Sequence, residues 1–101
     1  MREGVTVEFT RIHEDAQAPT RGSPLAAGWD LRAIEETKVM KGISSKVKTG
    51  LKIAIPAGYE GQVRARSSLG AKGLILPNAP GTIDADYRGE LMVLMTWIGE
   101  A

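Results

Sequence analysis

The stretch KVKTGLKIAIPAGYEGQVRAR, residues 46–66, decides how this chain folds. Along its first part the even positions are Lys46, Lys48, Gly50, Lys52 and Ala54, and the odd ones Val47, Thr49, Leu51, Ile53 and Ile55. One wet and one apolar face at period two mark a half-buried antiparallel strand over Lys46 to Ala54. Tyr59 to Arg66 alternates again, with Tyr59, Gly61, Val63 and Ala65 on one side and Glu60, Gln62, Arg64 and Arg66 on the other. Pro56-Ala57-Gly58 between them is a turn signal, so the two runs read as a hairpin. Val5, Val7 and Phe9 suggest a shorter opening strand.

Outward from this hairpin, Gly and Pro punctuate the chain at Arg21-Gly22-Ser23-Pro24, Ala27-Gly28, Gly42, Pro77 and Pro80-Gly81. Short strands at such spacing predict a sandwich or barrel. Only Ser67 to Lys72 has the pattern of a helical turn, too short to stand alone. Leu91 to Ile98, LMVLMTWI, is apolar on both faces and belongs inside a sheet with its edges covered. The chain stops soon after it, so cover from partner chains or from following sequence is expected.

The 101 residues suffice for one domain, read here as spanning 1–101. With 43% hydrophobic and 25% charged residues the composition is that of an ordinary globular chain. Thirteen basic and 12 acidic side chains, net charge +1, give no electrostatic reason to expect nucleic acid as a partner. A small anion needs only a few local cations. With no cysteine, disulfides and thiolate metal sites are excluded. The charged start MREGVTVEFTRIHED lacks the apolar region of a signal peptide, and no run approaches the roughly 18 apolar residues of a spanning helix. The expectation is a cytoplasmic protein with no membrane partner.

Three segments have the residue types for chemistry. Ala26-Ala27-Gly28-Trp29-Asp30-Leu31 sets a carboxylate just after a small-residue turn, although taken alone Asp30 fits a turn-capping or solvated aspartate better than a functional one. Arg64-Ala65-Arg66-Ser67-Ser68-Leu69-Gly70 leads two arginines into hydroxyl residues that open a helical turn. Outward backbone N–H groups beside an Arg fork suit phosphate, while from this segment alone a surface arginine face with a serine helix cap is the slightly better reading. The spacing is not that of a P-loop. Asn78-Ala79-Pro80-Gly81-Thr82-Ile83-Asp84-Ala85-Asp86-Tyr87-Arg88-Gly89-Glu90 is richer in special residues than a plain turn needs. Its Asp84-x-Asp86-x-x-Gly89 spacing imitates an EF-hand, but Arg88 and Met95 occupy ligand positions, so that form of calcium site is rejected. His13, the only histidine, has no acid or nucleophile singled out beside it and reads as a surface residue, which argues against a histidine triad or zinc site. Phe9, Trp29, Tyr59 and Trp97 read as packing residues.

In order and spacing these segments resemble the first three signature motifs of the trimeric dUTPase family. Ala27-Gly28-Trp29-Asp30-Leu31 is similar to its AGxDL motif, Arg66-Ser67-Ser68-Leu69-Gly70 to its RSGLA motif, and Asn78 through Glu90 to its NxxGxIDxDYRGE motif. The resemblance covers positions 26–92, and the third motif is the most specific.

The resemblance implies an all-β, jelly-roll-like sandwich with one short helical turn, a homotrimer with sites at the subunit interfaces, and hydrolysis of dUTP to dUMP and pyrophosphate. It implies that Asp84 is the base for the water attacking the α-phosphorus, which must then lie within about 3 Å. Asn78, with the backbone of Gly81, Thr82 and Ile83, would read the uracil edge, and Met92 would flank the base slot. One methyl is worth only about 1–3 kcal/mol of apolar contact, so thymine would be rejected sterically. Tyr87 would pack under the deoxyribose and leave no room for a 2′-hydroxyl. Arg66, Ser67 and Ser68 would bind phosphate. Asp30 would support Mg²⁺ through water, the metal being held mainly by the triphosphate.

Ser68 stands where the family usually has Gly, Gly70 where it has Ala, and Ala65 where it has Pro. The family's fourth and fifth motifs are not in this sequence, so the chain reads as C-terminally incomplete relative to the family. Two alternatives stay open: a catalytically incomplete nucleotide-binding or scaffold module, and dCTP deaminase, which shares the fold and an RSSL-type segment. Gly89-Glu90-Leu91-Met92-Val93 lacks the buried strand glutamate that deamination would want.

Overall fold

Ten residues of β-strand, Ser45–Ala54 (β2), run through the middle of the molecule and bury Thr49, Gly50 and Leu51. The computed structural model describes residues 4–100; residues 1–3 and 101 of the expected 1–101 domain lie outside the described residues. Glu8–Arg11 (β1) pairs antiparallel with one edge of β2, and Glu90–Trp97 (β6) with the other. Leu74–Ile75 (β4) pairs with the end of β6 at Trp97 and Thr96, giving a four-stranded sheet in the order β1-β2-β6-β4. Gly61–Val63 (β3) and Gly81–Ile83 (β5) form a second, two-stranded antiparallel sheet. One helix, Ser67–Lys72 (α1), connects β3 to β4 over the span expected from the sequence.

Cross-strand partners point to the same face. Val47 lies opposite Val93, so these two share the face that Thr49, Leu51 and Ile53 continue toward the second sheet. Lys46 opposite Leu94 and Lys48 opposite Met92 lie on the outer face. The predicted alternation of β2 is therefore present. The apolar Leu91–Ile98 run is covered in part: β2 lies along one edge of β6, while β4 pairs with the other only at Thr96 and Trp97, so among the described residues the far edge of Leu91–Met95 has no strand partner. Among the described residues, Leu51, Ile55, Leu76, Leu91 and Ala16 are the buried apolar ones.

Between Lys48 and Lys52 the register of β2 against β6 shifts, from Lys48 opposite Met92 to Lys52 opposite Glu90. Four steps on β2 thus answer two on β6, a bulge centred on Gly50, whose φ is +69°. Side chains satisfy its polar groups. Thr49 Oγ1 donates to the Leu91 carbonyl (2.6 Å) and accepts from the Leu51 N–H (3.3 Å), while the Gly50 N–H donates to Glu90 Oε2 (3.0 Å). The Gly50 carbonyl accepts from Ile12 N–H at 2.8 Å, tying the N-terminal segment to the same point.

Four sequence expectations differ from the structure. Residues 46–54 and 59–66 do not form a hairpin: β2 pairs with β1 and β6, and β3 with β5. The turn at Pro56-Ala57-Gly58 is real, with Tyr59 N–H donating to the Pro56 carbonyl at 3.2 Å, but it carries the chain from one sheet to the other. The second strand is also shorter than its alternation, since Arg64, Ala65 and Arg66 follow β3 outside the ladder. Finally, Phe9, Trp29 and Tyr59 are exposed rather than packed. They line an open apolar cleft of about 510 Å³ between the sheets, together with Val5, Val7 and Ile53. Val5 and Val7 precede β1 instead of forming part of it.

Candidate active site

The motif-bearing residues gather in two places. The first is a cleft of about 850 Å³ between the inner face of the large sheet and the segment 22–33, lined among others by Asp30, Arg32, Arg64 and Arg66. Its floor is Val47, Thr49, Val93 and Met95 of β2 and β6. Asp30 is fixed by its backbone: its N–H donates to the Thr20 carbonyl at 2.6 Å and its carbonyl accepts from Thr20 N–H at 3.3 Å. Arg32 donates to Thr20 Oγ1 at 3.0 Å. The loop before Asp30 is closed by Arg21, which donates to the carbonyls of Pro24 (2.6 Å) and Ala26 (2.9 Å) and stacks its guanidinium 5.7 Å from the Trp29 ring centre. Among the described residues the Asp30 carboxylate has no hydrogen-bond or ion-pair partner.

Arg66 is the N-cap of α1, in extended conformation and with no side-chain cap bond. Its carbonyl accepts from Gly70 N–H at 2.8 Å, and the helix ends at Gly73, left-handed at φ 113°. Only Gly fits there, since a Cβ would meet the Gly99 nitrogen at 2.5 Å. Ser67 and Ser68 are exposed on the first turn, beside the cleft rather than in its lining. The cleft is cationic at its rim and apolar at its floor, a chemistry suited to an anionic ligand.

The second place is the segment from Asn78 to Met92. Asn78 lies against Gly81, whose missing Cβ would sit 3.5 Å from its Nδ2. The Ala79–Pro80 peptide bond is cis, and Gly81, Thr82 and Ile83 pair with β3. Asp84 follows directly after β5 and is exposed; among the described residues its carboxylate makes no hydrogen bond or ion pair. Its carbonyl accepts from Tyr87 N–H at 3.1 Å, closing a turn, and Arg88 braces that turn through the carbonyls of Ala85 (2.6 Å) and Tyr87 (3.0 Å). Tyr87 donates its hydroxyl to the Glu90 carbonyl at 2.7 Å and stays 42% exposed. Met92, 37% exposed, stands on the outer face opposite Lys48.

Asp30 and Arg66 thus share one cleft. None of Asn78, Gly81, Thr82, Ile83, Asp84, Tyr87 and Met92 lines it. Arg32, absent from the expected site, joins it, and so does Arg64, which the sequence groups with Arg66 but which the family motif does not cover. No sequence signal marked Arg32 beyond its position two residues after Asp30. His13 is a surface residue as expected, its Nδ1 accepting from Asp15 N–H at 3.0 Å. Among the described residues no group of three or more His, Asp or Glu side chains is placed to hold a metal. No helix there is long and apolar enough to cross a membrane.

These features define a two-sheet β protein with a cationic cleft and a separate carboxylate-bearing turn. A family model described as dUTPase matches residues 14–100. A deoxyuridine 5′-triphosphate nucleotidohydrolase of Syntrophotalea carbinolica is 49% identical over 94 residues, covering 90% of this chain and 64% of that protein. A mutant dUTPase from phage phi11 of S. aureus, described with a structural Mg(II) ion, superposes at TM-score 0.85 and 28% identity, over 94% of this chain and 61% of that one. A Staphylococcus bacteriophage 80alpha dUTPase with dUpNHpp superposes at TM-score 0.81 and 28% identity, over 89% of this chain and 53% of that one. The chain belongs to the dUTPase family, and its fold is the all-β jelly-roll-like sandwich of that family, with one short helix. It spans about 64% of the length of the Syntrophotalea relative.

Proposed function

We propose that this chain supplies the site of a dUTP diphosphatase, which hydrolyses dUTP to dUMP and pyrophosphate in the cytoplasm. The observation that carries the reading is the free, exposed carboxylate of Asp84, at the end of β5 and one turn from Tyr87. A carboxylate so placed is open to a water molecule. As that water attacks the α-phosphorus, Asp84 takes its proton, a bond forms from the water oxygen to phosphorus, and the bond to the bridging oxygen of the leaving pyrophosphate breaks. Asn78 and the β5 backbone would hold the uracil edge, Met92 would flank it, and Tyr87 would lie against the deoxyribose. Arg66 would pair with phosphate oxygens, Ser67 and Ser68 beside it, and the neighbouring Arg64 adds positive charge.

The donor set fits Mg²⁺ carried in on the triphosphate. Asp30 is a lone carboxylate in a cleft with three arginines, suited to holding the ion through water and not to caging it. Bound there, the ion would neutralise phosphate charge and orient the α-phosphate.

Asp84 and Arg66 do not line a common cleft within one chain. That separation supports a site assembled between subunits, with Asp84 from one copy and Arg66 from another, in a homotrimer. Mixing Asp84→Asn and Arg66→Ala after joint refolding, assayed at a dUTP concentration too low for either variant alone to turn over, tests it. Random assembly would give about one intact interfacial site in four, and so a comparable share of wild-type activity. A site contained within one chain would give none.

A further inference from the structure

Glu90 sits where the outer ladder of β6 meets the bulge of β2, and it is bonded at both of its ends. Its carboxylate accepts the N–H of Gly50 at 3.0 Å, from a buried bulge residue on a strand distant in sequence. Its carbonyl accepts the hydroxyl of Tyr87 at 2.7 Å. The ring of Tyr87 rests on Gly89, where a Cβ would come within 2.6 Å of Oη and 2.8 Å of Cζ. Two supports thus define the pose of the ring: a bare glycine beneath it and one carbonyl at its tip. The glycine cannot move the tip. The carbonyl can, because it belongs to a residue whose own orientation depends on a side-chain bond.

We propose that Glu90 is a positioning residue for Tyr87, and through Tyr87 for discrimination against a 2′-hydroxyl. The carboxylate anchored on Gly50 N–H holds Glu90 in place and with it the Glu90–Leu91 peptide, whose carbonyl is aimed at Tyr87 Oη. The bulge gives the anchor its rigidity. Thr49 Oγ1 closes it by donating to the Leu91 carbonyl, next in sequence to Glu90, and Ile12 N–H holds the Gly50 carbonyl from the other side. Glu90 touches no nucleotide in this arrangement and acts only through its neighbour. The proposal rests on the reading of Tyr87 as the residue against the sugar.

The test compares Glu90→Ala, Glu90→Gln and Tyr87→Phe with the wild-type chain, at a temperature where all four are folded. Without nucleotide, NMR reports the ring resonances of Tyr87 and the exchange rate of the Gly50 amide. Glu90→Ala shifts the ring resonances and speeds Gly50 exchange by about tenfold or more. Glu90→Gln, whose amide oxygen accepts the same N–H, returns both to the wild-type values. With nucleotide, the ratio of kcat/KM for dUTP over UTP falls about tenfold in Glu90→Ala and in Tyr87→Phe, and recovers in Glu90→Gln. Unchanged ring resonances and an unchanged dUTP/UTP ratio in Glu90→Ala, with only a lower melting temperature, would overturn the proposal and leave Glu90 a structural residue. If the wild type turns over neither nucleotide, the functional reading fails, and the nucleotide-free ring and amide signals still decide whether Glu90 sets the pose of Tyr87.

Discussion

Thr49 Oγ1 donates to the carbonyl of Leu91 across 42 positions of sequence, at 2.6 Å and fully buried, and the same oxygen accepts the N–H of Leu51. One hydroxyl therefore satisfies a carbonyl on β6 and an amide on β2 where the ladder between them is interrupted. Thr49→Val keeps the shape and removes both bonds. Leaving buried backbone groups unpaired costs about 1–3 kcal/mol each, so a loss of at least about 2 kcal/mol is expected. Urea unfolding measures it, and Thr49→Ser, which keeps the hydroxyl, should lose less than half as much.

Gly50 combines two demands. Its φ of +69° disfavours any side chain, and a Cβ there would lie 2.8 Å from Ala16 Cβ, 2.9 Å from Ile34 Cγ2 and 3.0 Å from His13 Cβ. Gly58 shares only the first demand, with φ +90° and nothing within 4 Å of a built Cβ. Gly58→Ala should cost about 1–2 kcal/mol, the backbone penalty alone. Gly50→Ala should cost about 1–3 kcal/mol more, because the neighbours are short, packed atoms. Equal melting temperatures for the two variants would mean that the contacts around Gly50 yield freely.

Arg66 is the N-cap of α1 and also lines the cleft, so the ligand role proposed for it separates from its structural one. Since no side-chain cap bond is present, Arg66→Ala should leave stability within about 0.5 kcal/mol. Binding of a non-hydrolysable dUTP analogue, followed by calorimetry, should weaken by about 10- to 100-fold, the value of a charge-assisted bond or two. Arg64→Ala should weaken it less, and added salt should lower both affinities.

Much of this architecture is legible in the sequence because it is encoded locally. The alternation from Val47 to Ile55 is a property of neighbouring residues, and so is the helical turn at Ser67 to Lys72, and both are present. Strand pairing is not local. Pro56-Ala57-Gly58 specifies a turn without specifying which strand accepts the next one, and the chain uses it to change sheets. Two signs of the bulge were in view: Gly50 inside a strand, and Thr49 as the one polar residue on its apolar face. The exposure of Phe9, Trp29 and Tyr59 was not readable, since an apolar residue lining an open cleft has the same letter as one in a closed core. For the candidate site, the sequence motifs name the residues and leave their arrangement open. The grouping of Asp30 with Arg66, apart from Asp84 and Tyr87, is a property of the fold.

The most direct measurement is pyrophosphate release from dUTP and Mg²⁺ by the purified chain, beside dCTP and with Asp84→Asn as the control. Release from dUTP, none from dCTP, and a loss of at least about a hundredfold in Asp84→Asn are the predicted result. Equal release by wild type and Asp84→Asn, or a folded wild-type chain that binds the dUTP analogue and releases nothing, would contradict the account.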